Sequence, residues 1–583
     1  MWHIQKSILV LTAKFKAHLV GLFIVLTGLV NTAAYAAVSP IPLLVEQCLR
    51  FDFPTLAIDP SLDSKTNAIT LERQLIGFFN INDRIKYYRH FPLSYADREQ
   101  LLQCQLYLAD ELALYLNSVP FQSLQFSFAE NQQPQISALL SRINYLSNNS
   151  MSPTHKAQLH TAQAAFKQEV SSQALSLNIT DSNCRISEAG TVSVSRGFNG
   201  TLASYLIKQD NEQCRKRVWQ AYQSRASGKN KLALTTIKQL RQQQAIQAGF
   251  ANYSEYRLQR QVLHSPELVE QFLLTQTDNI AIAPWNIGSE LANSPSTKVS
   301  NIAPKQWLVL VEKELLAFEV RFDWIDNKII RVWHRNRLLG DIYLSESNKV
   351  AVKPIRQLVV GQQFGQIELS FPTRLANYQQ QKQAIKAVST AIKKLAKGQQ
   401  FYLLNTISQT DDTSNLDALW LEYWLADRLL PQIMEGSREE LLQIYSKQLY
   451  VFRSKIAVNL YKAPQQKKLL DPHQQFYLSF GKFWDKTEDA PYTFSAIVYQ
   501  GPLYYQKLWQ QKVAEYIYHS TKNCQDQAAV FDMLVVNEAS NSIETVLKML
   551  LGSPVTADSL IKRIKHAFDA QNKHASSCTF LRQ

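Results

Sequence analysis

Cys214 to Arg260 reads CRKRVWQAYQSRASGKNKLALTTIKQLRQQQAIQAGFANYSEYRLQR. Asp210-Asn211 stands two residues before it, ahead of EQCRKRVWQAY. An acidic or Asn side chain in that place accepts from the first unpaired N–H groups of a helix, so the pair predicts a helix start. Helical sequence then continues to about Leu274. The Gln-rich piece Arg241 to Gln247 lies inside it, and because Gln is a fair helix former the piece is expected as a solvated helix face and not as a low-complexity tail.

Working outward, Pro40 to about Lys167 is helical too, with apolar residues recurring at three and four positions in stretches such as REQLLQCQLYLADELALYLNSV. Pro120 and the turn-rich NSMSPTH interrupt it. Ser172 to Gly200 is polar and irregular and reads as the passage between two regions. Val320 to Val360 differs in kind: VRFDWIDNKIIRVWH, DIYL and VAVKPIRQLVV are rich in β-branched and aromatic residues with turns between, the composition of a small sheet. After Phe371 helical sequence returns and runs on to the end. The expected fold class is mainly α with a small β insert near 320–360. The expected division is a signal peptide at 1–36, an N-terminal helical region at 37–195 and a second region at 196–583.

The chain of 583 residues, 46% hydrophobic and 19% charged, has the balance of a folded protein too long for one core. Its first residues stand apart. Lys6, Lys14 and Lys16 occur without an acid, the apolar run Leu19 to Val30 follows, and Ala34-Tyr35-Ala36 precedes Ala37. That order is a signal peptide with an A-x-A cleavage site; the alternative, an uncleaved anchor, needs about 20 apolar residues and this run is shorter. Export to the periplasm or medium is therefore expected, and no segment of the mature chain is apolar for long enough to span a bilayer.

Export bears on Cys48, Cys104, Cys184, Cys214, Cys524 and Cys578, an even set without a C-x-x-C pair, which is expected to form disulfides. Neighbour pairing would join them in chain order, although six cysteines allow fifteen connectivities. The net charge of +14 falls to about +11 without the leader lysines. These charges are scattered along helices and form no stripe, which argues against nucleic acid and leaves anionic surfaces or acidic peptides as partners.

The opening stretch resembles the thimet oligopeptidase family of zinc metallopeptidases, which includes neurolysin, oligopeptidase A and dipeptidyl carboxypeptidase. Arg215 or Arg217 with Tyr222 and Arg225, then Asn230, Leu240-Arg241, Gly249-Phe250-Ala251-Asn252-Tyr253 and Ser265-Pro266 follow the family's order and intervals. Gly340, Tyr343, Leu344 and Lys349 resemble its strand pair, with Ser345 in place of Asp, and Phe494 to Tyr518 resembles its C-terminal block. The resemblance covers about Gly197 to the C-terminus. It implies an elongated helical body split by a deep central channel that admits short peptides.

The family's chemistry needs HExxH, two imidazoles four residues apart on one helix face with a glutamate base, and a carboxylate ligand on a nearby helix. None of the eleven histidines has that spacing. Alignment puts Lys386-Ala387-Val388-Ser389-Thr390 at the motif and Trp420 at the carboxylate, with Glu422 two residues beyond, about 200° round the helix. The degenerate zinc positions are thus Lys386, Ala387, Thr390 and Trp420. In the block that would stabilise an oxyanion, Ser495, Gln500 and Lys507 replace the family's residues, and Tyr504 and Tyr505 remain. Tyr504, Tyr505 and Trp509 read either as a peptide-binding set or as a packed aromatic face. No G-x-S-x-G, phosphate loop or dinucleotide fingerprint offers a substitute chemistry. The expectation is therefore no catalytic residue, no metal and no cofactor, since zinc belongs to the family but its ligands are absent here. The function expected is capture of short peptides or of a protein partner. The alternatives are an active metalloendopeptidase with a rearranged metal site and a chaperone-like structural partner.

Overall fold

The computed structural model describes residues 39–568 except 56–61, 132, 149–151, 173–178, 187–197, 407–410 and 463–470. The leader expected at 1–36 and Cys578 lie outside the described residues. Among the described residues the first helices are α1 (Pro40–Leu49), α2 (Ser64–Tyr88), α3 (Tyr95–Leu116), α4 (Val119–Ala129) and α5 (Pro134–Asn148). Side chains start them, Asp63 accepting from Thr66 N at 2.7 Å and Ser94 from Asp97 N at 3.1 Å. Their apolar stripes close on one core built round Leu71, Phe78, Phe121 and Phe128, crossed by the Cys48–Cys104 disulfide.

The next helices are α6 (Pro153–Val170), α7 (Phe198–Lys208), α8 (Glu212–Ser224), α9 (Ser227–Gln247), α10 (Tyr253–Leu258), α11 (Pro266–Thr275), α12 (Ile287–Asn293) and α13 (Pro304–Leu315). Asn211 caps α8 as its sequence predicts, accepting from Gln213 N and Cys214 N. Cys214 is bonded to Cys184, and Cys524 is also disulfide-bonded. By packing, α6 goes with the chain that follows it: Leu159 and Phe166 share a core with Trp219, Leu234 and Ile237.

The sheet has five strands, β1 (Val320–Trp324), β2 (Ile329–His334), β3 (Arg337–Glu346), β4 (Ala351–Arg356) and β5 (Gly365–Phe371), in the order β1-β2-β3-β5-β4. It runs about ten residues past the stretch expected from composition, because GQIELSF completes it as β5, parallel to β3 and antiparallel to β4. Gly340 is required where β3 meets β5, since a Cβ there would lie 2.1 Å from Gly365 O. One face of β5 packs on the first helix after the sheet, α14 (Tyr378–Ala396). On the other face Glu368 accepts from Tyr87 of α2 at 2.5 Å and pairs with Lys353 at 2.7 Å.

Then come α15 (Tyr402–Thr406), α16 (Leu416–Leu429), α17 (Arg438–Leu460), α18 (Pro472–Phe480), α19 (Ala496–Tyr499), α20 (Gln506–Thr521), α21 (Gln527–Phe531), α22 (Ile543–Leu551) and α23 (Ala557–Phe568). With α13, α14 and the sheet, the helices α16 and α20 to α23 enclose the largest core. The first bundle joins this body through α15, where Phe79 stacks on Tyr402 with centroids 4.0 Å apart. No helix among the described residues is long and apolar enough to cross a membrane.

Candidate functional site

Three elements meet where the resemblance would put the chemistry. Asn377 caps α14 by accepting from Gln380 N at 2.9 Å, and the helix then shows a stripe at four-residue steps, Lys382, Lys386 and Thr390, ending near Lys393 and Lys397. Its other faces, including Ala384, Ala387, Val388 and Ala391, are buried against the sheet and α16. The C-terminal end of the stripe is neutralised. Asp417 of α16 takes Lys393 Nζ at 2.9 Å and Lys397 Nζ at 2.6 Å. Burial alone would raise the Asp417 carboxyl, but the two ammoniums hold it down to about 2.

The N-terminal end of the stripe is different. Lys382 and Lys386 lie near Glu422 of α16, and Lys507 from the first turn of α20 joins them, each close enough for its charge to act on the carboxylate. Among the described residues none of the three lysines is within 4.0 Å of a carboxylate oxygen. Glu422 is half-buried, and desolvation raises its pKa against the pull of Lys386, Lys382 and Lys507. Lys507 is lowered, first by desolvation and then by repulsion from Lys386.

The structure therefore brings Lys386, Glu422 and Lys507 together and sends the other singled-out residues into the core. Trp420 has no exposed surface; its Nε1 donates to Thr521 Oγ1 at 3.1 Å and its ring packs on Phe318. Ala387 is buried, and Thr390 turns its hydroxyl back onto Lys386 O at 2.8 Å. Tyr505 has no exposed surface and donates to Asp412 at 3.1 Å, while that carboxylate also accepts from Val262 N and Leu263 N. Trp509 is likewise sealed, edge-on to Phe272. Tyr504 retains 9% exposure and stacks on Tyr450 with centroids 4.4 Å apart, and Lys507 Nζ stands 5.7 Å from the Tyr450 ring. Tyr505 and Trp509 are thus enclosed by other side chains, and Tyr504 stands beside Tyr450, over whose ring Lys507 lies.

The expectation of a solvated face over Arg241 to Gln247 needs correction at one residue. Gln243, Ile246 and Gln247 are exposed, but Arg241 is 3% exposed. It donates to Tyr461 Oη and Val498 O, and so ties the opening stretch of sequence to the C-terminal block. Gly501 adopts φ +57 beside it, and a Cβ there would meet Arg241 Nη1 at 3.1 Å. His334, the last residue of β2, is buried: its Nε2 lies 3.3 Å from Asp532 Oδ1, and burial pulls its pKa down.

A dication does not suit this group, because it consists of ammonium groups and a single carboxylate. Among the described residues no group of three or more His, Cys, Asp and Glu could hold a metal ion. The signals missed in the sequence were the partner lysines. Lys382 repeats Lys386 one turn earlier, and Lys393 with Lys397 repeats the spacing again, a periodicity that singles out one helix face.

The model of Peptidase family M3 matches residues 205–283 of this chain. Among the curated proteins nothing matches. A solved structure described as PZ peptidase A with inhibitor 2 is similar with a TM-score of 0.50 and 12% identity, over 91% of this chain and 97% of its own. The M32 carboxypeptidase from Deinococcus radiodurans R1 is similar with a TM-score of 0.50 and 10% identity, over 86% and 98%. At these identities the likeness is one of fold: mainly helical, with a small sheet, as in those peptidase structures.

Proposed function

We propose that this chain is an exported protein of peptidase fold that binds short peptides, or a partner's extended segment, without cleaving them. The observation that carries the reading is the Lys382, Lys386 and Lys507 group round Glu422. Hydrolysis by a metal-bound water needs anionic or imidazole ligands round a cation, and a group of ammoniums repels that cation instead. Trp420 adds to this, since the resemblance aligns it with the family's third ligand and its one polar atom is already bonded to Thr521. The match over residues 205–283 and the likeness of fold support descent from a peptide-handling framework.

The experiment uses the purified mature chain. Elemental analysis should find less than stoichiometric zinc, and a mixture of unstructured fluorescent peptides should bind and remain uncut over hours. About one zinc per chain together with chelator-sensitive cleavage would replace this reading by that of a metalloendopeptidase with a rearranged site. No peptide binding at millimolar concentration, with one protein co-purifying in fixed ratio, would replace it by the structural-partner reading.

A further inference from the structure

We propose that the cavity formed by α23 and its preceding turn against α20 binds a phosphate group, at a site separate from the peptide reading above. The cavity measures about 540 Å³ and is lined by Tyr516 of α20, Thr556 of the turn, and Ser559, Lys562, Arg563 and His566 of α23. Its lining follows from the helix pattern. Leu560, Ile561 and Ile564 are buried in the largest core, which leaves positions 559, 562, 563 and 566, spaced as one helix face, along the cavity. The charge there is one-sided. Lys562 and Arg563 have no carboxylate oxygen within 4.0 Å among the described residues, although Asp558, the one acid in the lining, stands a single turn before Lys562. Both cations lie in the second turn of α23, away from its N-terminus, and a cavity walled by one sign of charge concentrates the opposite sign.

The donors are held in place by the surrounding chain. Arg563 Nη1 donates to Leu551 O at 3.2 Å and to Gly552 O at 3.1 Å, which fastens the guanidinium against the C-terminal end of α22 and leaves Nε and Nη2 for an anion. Thr556 Oγ1 accepts from Ser559 N at 3.3 Å, so its hydroxyl proton remains to donate. Ser559 commits its own proton to Pro554 O at 2.7 Å. A fixed guanidinium fork beside an ammonium and a hydroxyl meets the several oxygens of a phosphate, whereas the two oxygens of a carboxylate leave part of the set unmatched. The cavity is larger than the anion alone. Its volume is that of a small-molecule site, and Tyr516, Pro554 and Ala567 give the rest of a ligand an apolar wall. The ligand is therefore a phosphate ester, either a soluble one or a lipid headgroup. Lys565 supplies an internal comparison: it lines a different cavity, of about 760 Å³, together with the acids Glu267, Glu270 and Asp278.

Calorimetric titration of the mature chain at fixed ionic strength uses inorganic phosphate, glycerol 3-phosphate and acetate as probes. Phosphate and glycerol 3-phosphate should bind, the ester more tightly, and acetate should bind roughly tenfold more weakly than phosphate. Lys562→Gln should weaken phosphate roughly tenfold with an unchanged unfolding midpoint, since the side chain is exposed and has no ion-pair partner among the described residues. Asp558→Asn should tighten phosphate several-fold, and Lys565→Gln should leave it unchanged. Vesicles separate the two sources of the ester. Binding to phosphatidylcholine vesicles carrying about 20% phosphatidylglycerol, displaced by glycerol 3-phosphate and lost in Lys562→Gln, marks a lipid headgroup; phosphate binding without vesicle binding marks a soluble ester. Three results overturn the site: no saturation by phosphate up to about 100 mM, acetate bound as tightly as phosphate, or equal losses in Lys562→Gln and Lys565→Gln. None of them bears on whether peptides bind, which the fluorescent peptides test separately.

Discussion

Replacing Asp417 by Ala should destabilise the protein by about 3–5 kcal/mol at pH 7, the cost of leaving a buried ion group without its partner. The carboxylate is 5% exposed and accepts from Lys393, Lys397 and Ala418 N, the last at 2.8 Å. Its pKa falls from 3.8 to about 2 because the charges of Lys393 and Lys397 outweigh the desolvation that would raise it. A shift of that size corresponds to about 2 kcal/mol by linkage. The sign follows from the depressed value: this contribution is fully present above the unfolded-state pKa and is lost as pH falls from about 4 toward 2. Lys393 works against it, since its own burial lowers its pKa and offsets part of the gain. The whole cluster is therefore worth less than the Asp417 shift, whereas removing Asp417 alone leaves two half-buried lysines together without a counter-charge. Urea midpoints at pH 7 and at pH 2.5 measure this, with the triple variant Asp417→Leu, Lys393→Met, Lys397→Met as the control expected near the parent's stability. A loss below about 1 kcal/mol for Asp417→Ala at pH 7, or the same large loss in the triple variant, would refute the assignment of the penalty to unpaired buried charge.

Glu72 is 1% exposed, accepts one N–H from Tyr402, and has its pKa raised to about 7 by desolvation. The native state then holds a proton that the unfolded chain has released, so stability should fall by about 3 kcal/mol as pH rises from 4.5 to 7, and Glu72→Gln should abolish that slope in urea titrations. Tyr505→Phe removes a hydroxyl from Asp412, whose pKa burial raises to about 6. The loss should be about 2 kcal/mol at pH 8, where that carboxylate is charged, and smaller at pH 5. Joining residues 56 apart, the Cys48–Cys104 bond should contribute about 4 kcal/mol by loop entropy, to be read as the change in urea midpoint of the Cys48→Ala, Cys104→Ala variant under oxidising conditions.

The helical periods were legible because they are local: Asn211, Asp63 and Ser94 cap their helices through contacts two or three residues away, and the α3 stripe follows from its own apolar spacing. The strands from Val320 to Arg356 were legible from β-branched composition, but GQIELSF was not assigned. It is buried on both faces between α14 and α2, so it lacks the polar alternation of a half-exposed strand. At the site, Lys386, Glu422 and Lys507 could each be named from alignment to a motif. Their meeting depends on how α14, α16 and α20 pack, and no short-range pattern encodes that.

What this chain's sequence determined by itself was the kind of element in the helical stretches and in the strands up to Arg356, the resemblance carried by Cys214 to Arg260, and the lack of any histidine pair spaced for a metal helix. Each of these depends on residue identity within one or two helical turns, which is as far as backbone hydrogen bonding and side-chain periodicity reach. The tertiary structure alone decided which polar groups are compensated. Arg241 looked like part of a solvated face and is a buried clasp on Tyr461 and Val498, whereas Tyr505 and Trp509, which the sequence left open between a ligand surface and a packed face, have no exposed surface. Two lysine pairs on one helix are indistinguishable as sequence; the fold places Asp417 within 3 Å of one pair and no carboxylate oxygen of the described residues within 4.0 Å of the other. The reason is physical: desolvation and Coulomb attraction depend on distance in space, and residues 393 and 417 become neighbours only when their helices are packed together.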